Sequence, residues 1–254
     1  MKKYILILVF ITTACSSKKD QRYVPDSNGN LNQVTVVMNN TQWEGVLGNA
    51  VRDEIATIYE GLPMDEPRFS LKQLHPKAFD GFARNSRNIL WLKKDSIASF
   101  DLRQDQFAKP QIVAFFKGED QELMAEYVRE NATLIQGLFQ ENERKEKLRR
   151  IKKAKAKENT LEDRFNISLT YPSAYKTVKD TTNFIWIEKP VQKGTLNLIV
   201  YTLPLKKVSS NPLTQIKNMR DSIGKLYVPG RLPGSHMITE EAYLPYLFKT
   251  ESVL

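Results

Sequence analysis

The chain has 254 residues, 41% of them hydrophobic, and a formal charge of +9, so it can bury one or two cores of ordinary size. One cysteine and two histidines exclude a disulfide framework and leave little for a metal site built on those residue types. The cation excess favours anionic surfaces or polyanions as partners.

Lys2 and Lys3 precede an apolar run from Tyr4 to Ile11, and Thr12, Thr13 and Ala14 supply small residues before Cys15. This is the layout of a secretory signal, too short to span a bilayer, with the sole cysteine where a lipoprotein is cleaved and acylated. Residues 1–14 are therefore expected to be removed and Cys15 lipidated, although Thr12 stands where a lipobox usually carries leucine. Loss of Lys2 and Lys3 takes the formal charge from +9 to +7. No other apolar run reaches spanning length, so the acyl chains are the expected integral attachment. Ser16 does not fit the usual inner-membrane retention pattern, which points to the cell envelope and an outer-membrane protein facing the periplasm. Residues 15–31 are polar and rich in turn formers, and read as the lipidated cysteine and a flexible tether.

Residues 33–38 (QVTVVM) form a β-branched run that predicts a buried strand. Thr41 and Glu44 have capping-box spacing, and apolar residues from Trp43 to Tyr59 recur every three or four positions down to Gly61-Leu62-Pro63, predicting one amphipathic helix. FSLKQL, RNILWLKK, ASFDLR and PQIVAFF read as strands. A long helix is predicted from Glu119-Asp120, carrying Leu123, Tyr127, Leu134, Ile135, Leu138 and Phe139. Between Arg144 and Lys157 it holds nine cations against the single acid Glu146. The apolar stripe thins there, so this stretch is expected to project past the first core and bridge two units. Beyond it, ISLTY, NFIWIEK and LNLIVYTL predict strands, residues 211–226 a helix, and HMITE a further strand. The fold class expected is α+β: two consecutive units of mostly antiparallel sheet with helices packed on it, over residues 32–160 and 161–254.

The stretches QVTVVMNNTQWEG, GLPMDEPRF, RNILWLK, AKPQIV, SLTYPSAY, NFIWIEK, KNMRDSIGKLYVPG and MITEEAYLPYLF resemble an envelope lipoprotein family of Bacteroidota made of domains of unknown function. The resemblance implies no activity and no catalytic residues. It implies further strands and a closing helix after Leu254, so the second unit is expected to be truncated and to leave an apolar patch beside its last strand, near residues 243–248. Phe165-Asn166-Ile167-Ser168-Leu169 followed by Pro172-Ser173-Ala174-Tyr175 is also similar to the start of the PsbP-like α/β/α sandwich, which implies a module that binds or assembles.

His75 and His236 stand alone, without an elbow or a paired-histidine motif, and read as surface or turn residues. Ser222-Ile223-Gly224-Lys225 matches the S-x-x-K pattern in which lysine deprotonates a serine one helical turn away. The same pattern recurs at Ser16 to Lys19 and Ser173 to Lys176, and companion motifs are absent. Asp65 and Glu66, between two prolines, read as a solvated turn, with cation binding as the sharper alternative. The aromatic segment at 184–186 reads as core. The basic run reads first as a solvated helix face and second as a surface for anionic lipid, with Lys147, Arg150 and Lys153 one turn apart on a face poor in apolar residues. No cofactor and no metal site is expected, and an exported location sets nucleic acid aside. The function expected is that of a non-catalytic, lipid-anchored envelope protein that binds or assembles with anionic lipid or another envelope protein. The alternative is a cell-envelope serine hydrolase using Ser222 and Lys225.

Overall fold

The computed structural model describes residues 23–204 and 210–242. Cys15 and residues 243–248, with the apolar patch expected there, lie outside them. The first unit contains β1 (Gln33–Val37), α1 (Asn40–Glu44), α2 (Val46–Ile55), β2 (Ser70–Leu74), β3 (Asn88–Lys94), β4 (Ser99–Gln104), β5 (Ile112–Gly118) and α3 (Gln121–Lys153). The second contains α4 (Thr160–Phe165), β6 (Lys176–Thr181), β7 (Phe184–Val191), β8 (Gly194–Tyr201) and α5 (Pro212–Tyr227). The α+β class holds in both.

The first sheet runs in the order β2-β1-β3-β5-β4. Its first four strands are mutually parallel and only β4 pairs antiparallel, against β5. The antiparallel expectation therefore fails here. The β1–β2 and β2–β3 connections are long enough to return each strand to the same end, and β5 inserts between the consecutive strands β3 and β4. Both faces are covered, as parallel sheets require. Val34, Val36, Leu90, Leu92, Ala114 and Phe116 face α2 and α3, while Val37, Ile89, Trp91, Val113 and Phe115 face Phe79 and Phe107.

The helix predicted from Trp43 to Tyr59 breaks at Gly45, whose backbone is extended, and α2 ends at Ile55. Gln42 accepts the Asn39 N–H at 3.3 Å, so the cap sits two residues upstream of the predicted one. Gly48 has no room for a Cβ against the Trp43 carbonyl, which is why glycine stands where the two short helices meet. Asp120 caps α3 by accepting from the N–H of Glu122 at 2.8 Å. At 1.5 Å per residue the 33 residues of α3 span about 50 Å, roughly twice the length of β3.

Residues 25–31, read from composition as tether, instead form, together with Asn32, a strap across the end of the sheet where the parallel strands begin. Lys109 N–H donates to the Pro25 carbonyl at 2.8 Å, Ser27 N–H to Lys109 at 2.9 Å and Asn28 N–H to Asn85 at 2.8 Å. A buried ionic group holds its other half. Arg87 pairs with Glu143 at 2.8 Å, both side chains being almost fully enclosed. Its Nη2 donates to the Asn30 carbonyl at 2.7 Å, and Glu143 accepts from Asn32 N–H at 2.8 Å and Asn88 Nδ2 at 2.7 Å.

The second sheet is an antiparallel meander, β6-β7-β8. Alternate residues serve opposite faces: Ile185 and Ile187 pack with Leu161 of α4, and Phe184 packs with Ile223 of α5 and stacks on Tyr227 at 4.3 Å. The predicted ISLTY strand is absent. Asn166, in left-handed conformation, ends α4 and directs residues 167–170 into solvent, while β6 and α4 were not foreseen. HMITE forms a single bridge, His236 to Pro229, rather than a strand.

Candidate functional site

The basic run divides into two chemically different parts. Glu141 accepts two bonds from Arg144, at 2.6 and 2.8 Å, and lies 3.5 Å from Lys145. Glu146, 3% exposed, accepts from Arg149 at 2.6 and 2.9 Å and from Arg150 at 2.7 Å. The Arg144 hydrogen bonds hold the Glu141 carboxyl down to about 2, and those of Arg149, joined by Arg150, do the same for Glu146. Lys147, Lys152, Lys153, Lys155 and Lys157 have no acid partner among the described residues. The predicted trio is therefore not one set. Arg150 is tied to Glu146 and donates to the Gly29 carbonyl at 3.0 Å, Lys147 is exposed, and Lys153 belongs to a cleft.

That cleft, about 750 Å³, opens where the units join and is lined by Lys152, Lys153, Lys155, Lys157, Tyr175 and Lys176 among others. Its floor follows from local pairing. The helix ends at Ala154, Ser173 N–H donates to the Ala154 carbonyl at 2.7 Å, and Ala156 N–H donates to Tyr171 at 3.0 Å. Past this cap the chain leaves the helix, and Lys155 bridges to Pro172. Ala156 packs on the second core and Lys155 and Lys157 stay exposed. The one acid of the lining, Glu158, accepts from Thr177 Oγ1 at 2.8 Å. Lys189 adds charge nearby, its Nζ 5.9 Å from the Tyr175 ring centroid. Each unit cation about 4 Å from a ligand anion attracts it by about 1 kcal/mol in water-like surroundings, so five act as an additive, salt-sensitive field. The lining contains no histidine or cysteine. Five lysines against one acid make that lining cationic.

The remaining predicted residues stay apart. Ser222 and Lys225 are exposed, neither lines the junction cleft, and Ser222 Oγ donates back to the Asn218 carbonyl at 2.8 Å. This is the solvent-facing arrangement of an ordinary helical serine. His75 Nδ1 accepts from Lys77 N–H in a turn, as expected. Asp65 and Glu66 are exposed, and no group of three metal-ligating side chains occurs among the described residues. Phe184 and Ile185 are core. No helix among the described residues is long and apolar enough to cross a membrane. The buried Arg87–Glu143 pair was not read from the sequence. Its one local sign is an arginine and an asparagine opening an otherwise apolar strand.

Fold and site together define a two-unit α+β protein with an anion-attracting junction. Residues 27–152 match a family described as a domain of unknown function (DUF8532), and residues 154–253 match a second, also described as a domain of unknown function (DUF4837). The boundary between the two matches falls at the end of α3, inside the lysine-rich stretch. No curated protein and no solved structure matches the chain.

Proposed function

We propose that the protein is a non-catalytic, lipid-anchored module of the bacterial cell envelope, held by an acylated Cys15 on the outer membrane and facing the periplasm. In this reading it binds anionic lipid headgroups through the junction lysines and so serves binding or assembly. The observation that carries the reading is the set of unpaired lysines gathered on one open cleft, while neighbouring cations of the same helix are neutralised by Glu141 and Glu146. The signal-like segment ending at Cys15 and the resemblance to Bacteroidota envelope lipoproteins supply the location.

The test is flotation of the unlipidated protein with phosphatidylglycerol-containing vesicles. Each lysine near such a surface contributes about 1 kcal/mol, so reversing Lys152, Lys153, Lys155 and Lys157 to glutamate should weaken binding more than about a hundredfold. The melting temperature should hardly move, because these side chains are exposed and unpaired. Unchanged binding, or binding that raised salt does not weaken, refutes the role of the cleft. Fatty-acid labelling that is equal in wild type and Cys15→Ser refutes the anchor.

A further inference from the structure

Among the described residues, the two most exposed large hydrophobic side chains are Tyr23, 85% exposed, and Phe82, 78% exposed. They are far apart in sequence, yet both belong to the end of the first sheet that carries the strap. Tyr23 stands two residues before Pro25, where the strap meets Lys109. Phe82 lies in the 3-10 turn Gly81–Asn85, and Asn28 of the strap donates from its side chain to the Phe82 carbonyl at 3.3 Å. The cations at this end each stand beside an acid, Arg84 with Asp80 at 3.4 Å, Lys109 with Asp105 at 3.9 Å and Arg149 with Glu146 at 2.6 Å, so the two aromatic rings are its distinguishing surface. Aromatic side chains left open to water are the kind that settle at the headgroup level of a bilayer.

Chain geometry points the same way. Cys15 precedes Tyr23 by eight residues, which reach about 28 Å when fully extended and about 16 Å as a flexible coil. The strap fixes where those residues leave the body, since residues 25–32 are bonded to Lys109, Asn85, Arg87, Glu143 and Arg150. An anchor at Cys15 therefore pulls this end of the sheet, and not the opposite end, toward the bilayer. The six steps of β3 separate the two ends by about 20 Å.

We infer that the strap end of the first sheet is a membrane-docking face, with Phe82 and Tyr23 inserted among lipid headgroups. The inference rests on the lipid-anchor reading above and adds to it an orientation and two contact residues. Ile97, 68% exposed and just beyond the end of β3, is the natural control, because it lies at the far end of the sheet.

The experiment uses the chain from Cys15 to Leu254, which keeps every described residue, coupled through its sole thiol to a maleimide phospholipid. The vesicles contain phosphatidylcholine and phosphatidylglycerol with brominated acyl chains. Phe82→Trp and Ile97→Trp are compared with the parent, whose Trp43, Trp91 and Trp186 set the baseline. The added fluorescence of Phe82→Trp should be blue-shifted and quenched at least about threefold more strongly than that of Ile97→Trp. Equal quenching, stronger quenching at Ile97, or no quenching at Phe82 overturns the docking face. Chemical coupling replaces acylation, so this outcome does not depend on whether cells acylate Cys15. Metabolic labelling answers that question separately.

Discussion

Replacing Arg87 with methionine keeps most of its aliphatic volume and removes its charge from a site where the side chain is 1% exposed. Glu143, itself 3% exposed, then loses two charge-assisted bonds, from Nε at 2.8 Å and Nη2 at 3.1 Å, and keeps only the neutral donors of Asn32 and Asn88. Asn30 loses its donor as well, so the strap loosens. Leaving one partner of a buried pair uncompensated costs about 3–5 kcal/mol, a large part of the roughly 5–15 kcal/mol that holds an ordinary domain. Arg87→Met should therefore lower stability by about that amount in urea denaturation at neutral pH. Unfolding is followed by Trp43 and Trp91, with Trp186→Phe removing the second unit's signal. The double variant Arg87→Met, Glu143→Met should recover part of the loss, because it removes the uncompensated charge but leaves the Asn30 carbonyl, Asn32 N–H and Asn88 Nδ2 without these partners. A loss under about 1 kcal/mol in the single variant, or strictly additive losses in the double, would show that the pair is not the tie described.

Three further outcomes follow from the same contacts. Glu146 is held down to about 2 by Arg149 and Arg150, so the stability it contributes is complete above its unfolded pKa near 4.5 and is lost as the pH falls from there toward 2; Glu146→Gln should flatten the stability profile in that window. Arg150→Glu should destabilise by about 1–3 kcal/mol, since it breaks bonds to Glu146 and Gly29, whereas Lys153→Glu should stay within about 0.5 kcal/mol, as read by thermal melts side by side. Gly224→Ala should destabilise the second unit severely, because a Cβ there meets the Met237 carbonyl, while Ser222→Ala should leave stability and any hydrolysis of cell-wall peptides unchanged; loss of a measurable peptidase activity in Ser222→Ala would revive the serine-hydrolase alternative.

Strong local patterns carried most of the element predictions. Strands β1, β3 and β5 are apolar on both faces and bounded by polar residues, and α3 opens on Asp120 with an apolar stripe behind it, so each lay within a residue or two of its observed place. Their pairing was not legible. Succession along the chain suggested hairpins, but strand direction is decided by where the long connections return, and nothing in Ser99–Gln104 announces that β5 passes between it and β3. The ISLTY stretch failed for a different reason. Its β-branched residues favour a strand, yet Asn166 turns the chain before it and no neighbouring edge meets it. Propensity is realised only where a partner exists.

Charge was misread in the same way, and the error shows what the fold adds. Counting nine cations against one acid treats the end of α3 as uniform, but helical spacing of three and four residues brings Arg144 and Lys145 to Glu141 and Arg149 and Arg150 to Glu146. Of these acids only Glu146 is buried, where it also lies 3.9 Å from Arg87 beside the strap. Beyond Ile151 no acid stands three or four residues back to meet the next lysines, and the backbone leaves the helix at Ala154. Among the described residues no acid pairs with the lysines that follow, and they stay exposed. One helix thus pairs its first cations with its own acids, ties Arg150 to the strap, and leaves its last lysines open to water. Arg150→Glu and Lys153→Glu separate these uses, the first acting on stability and the second on binding.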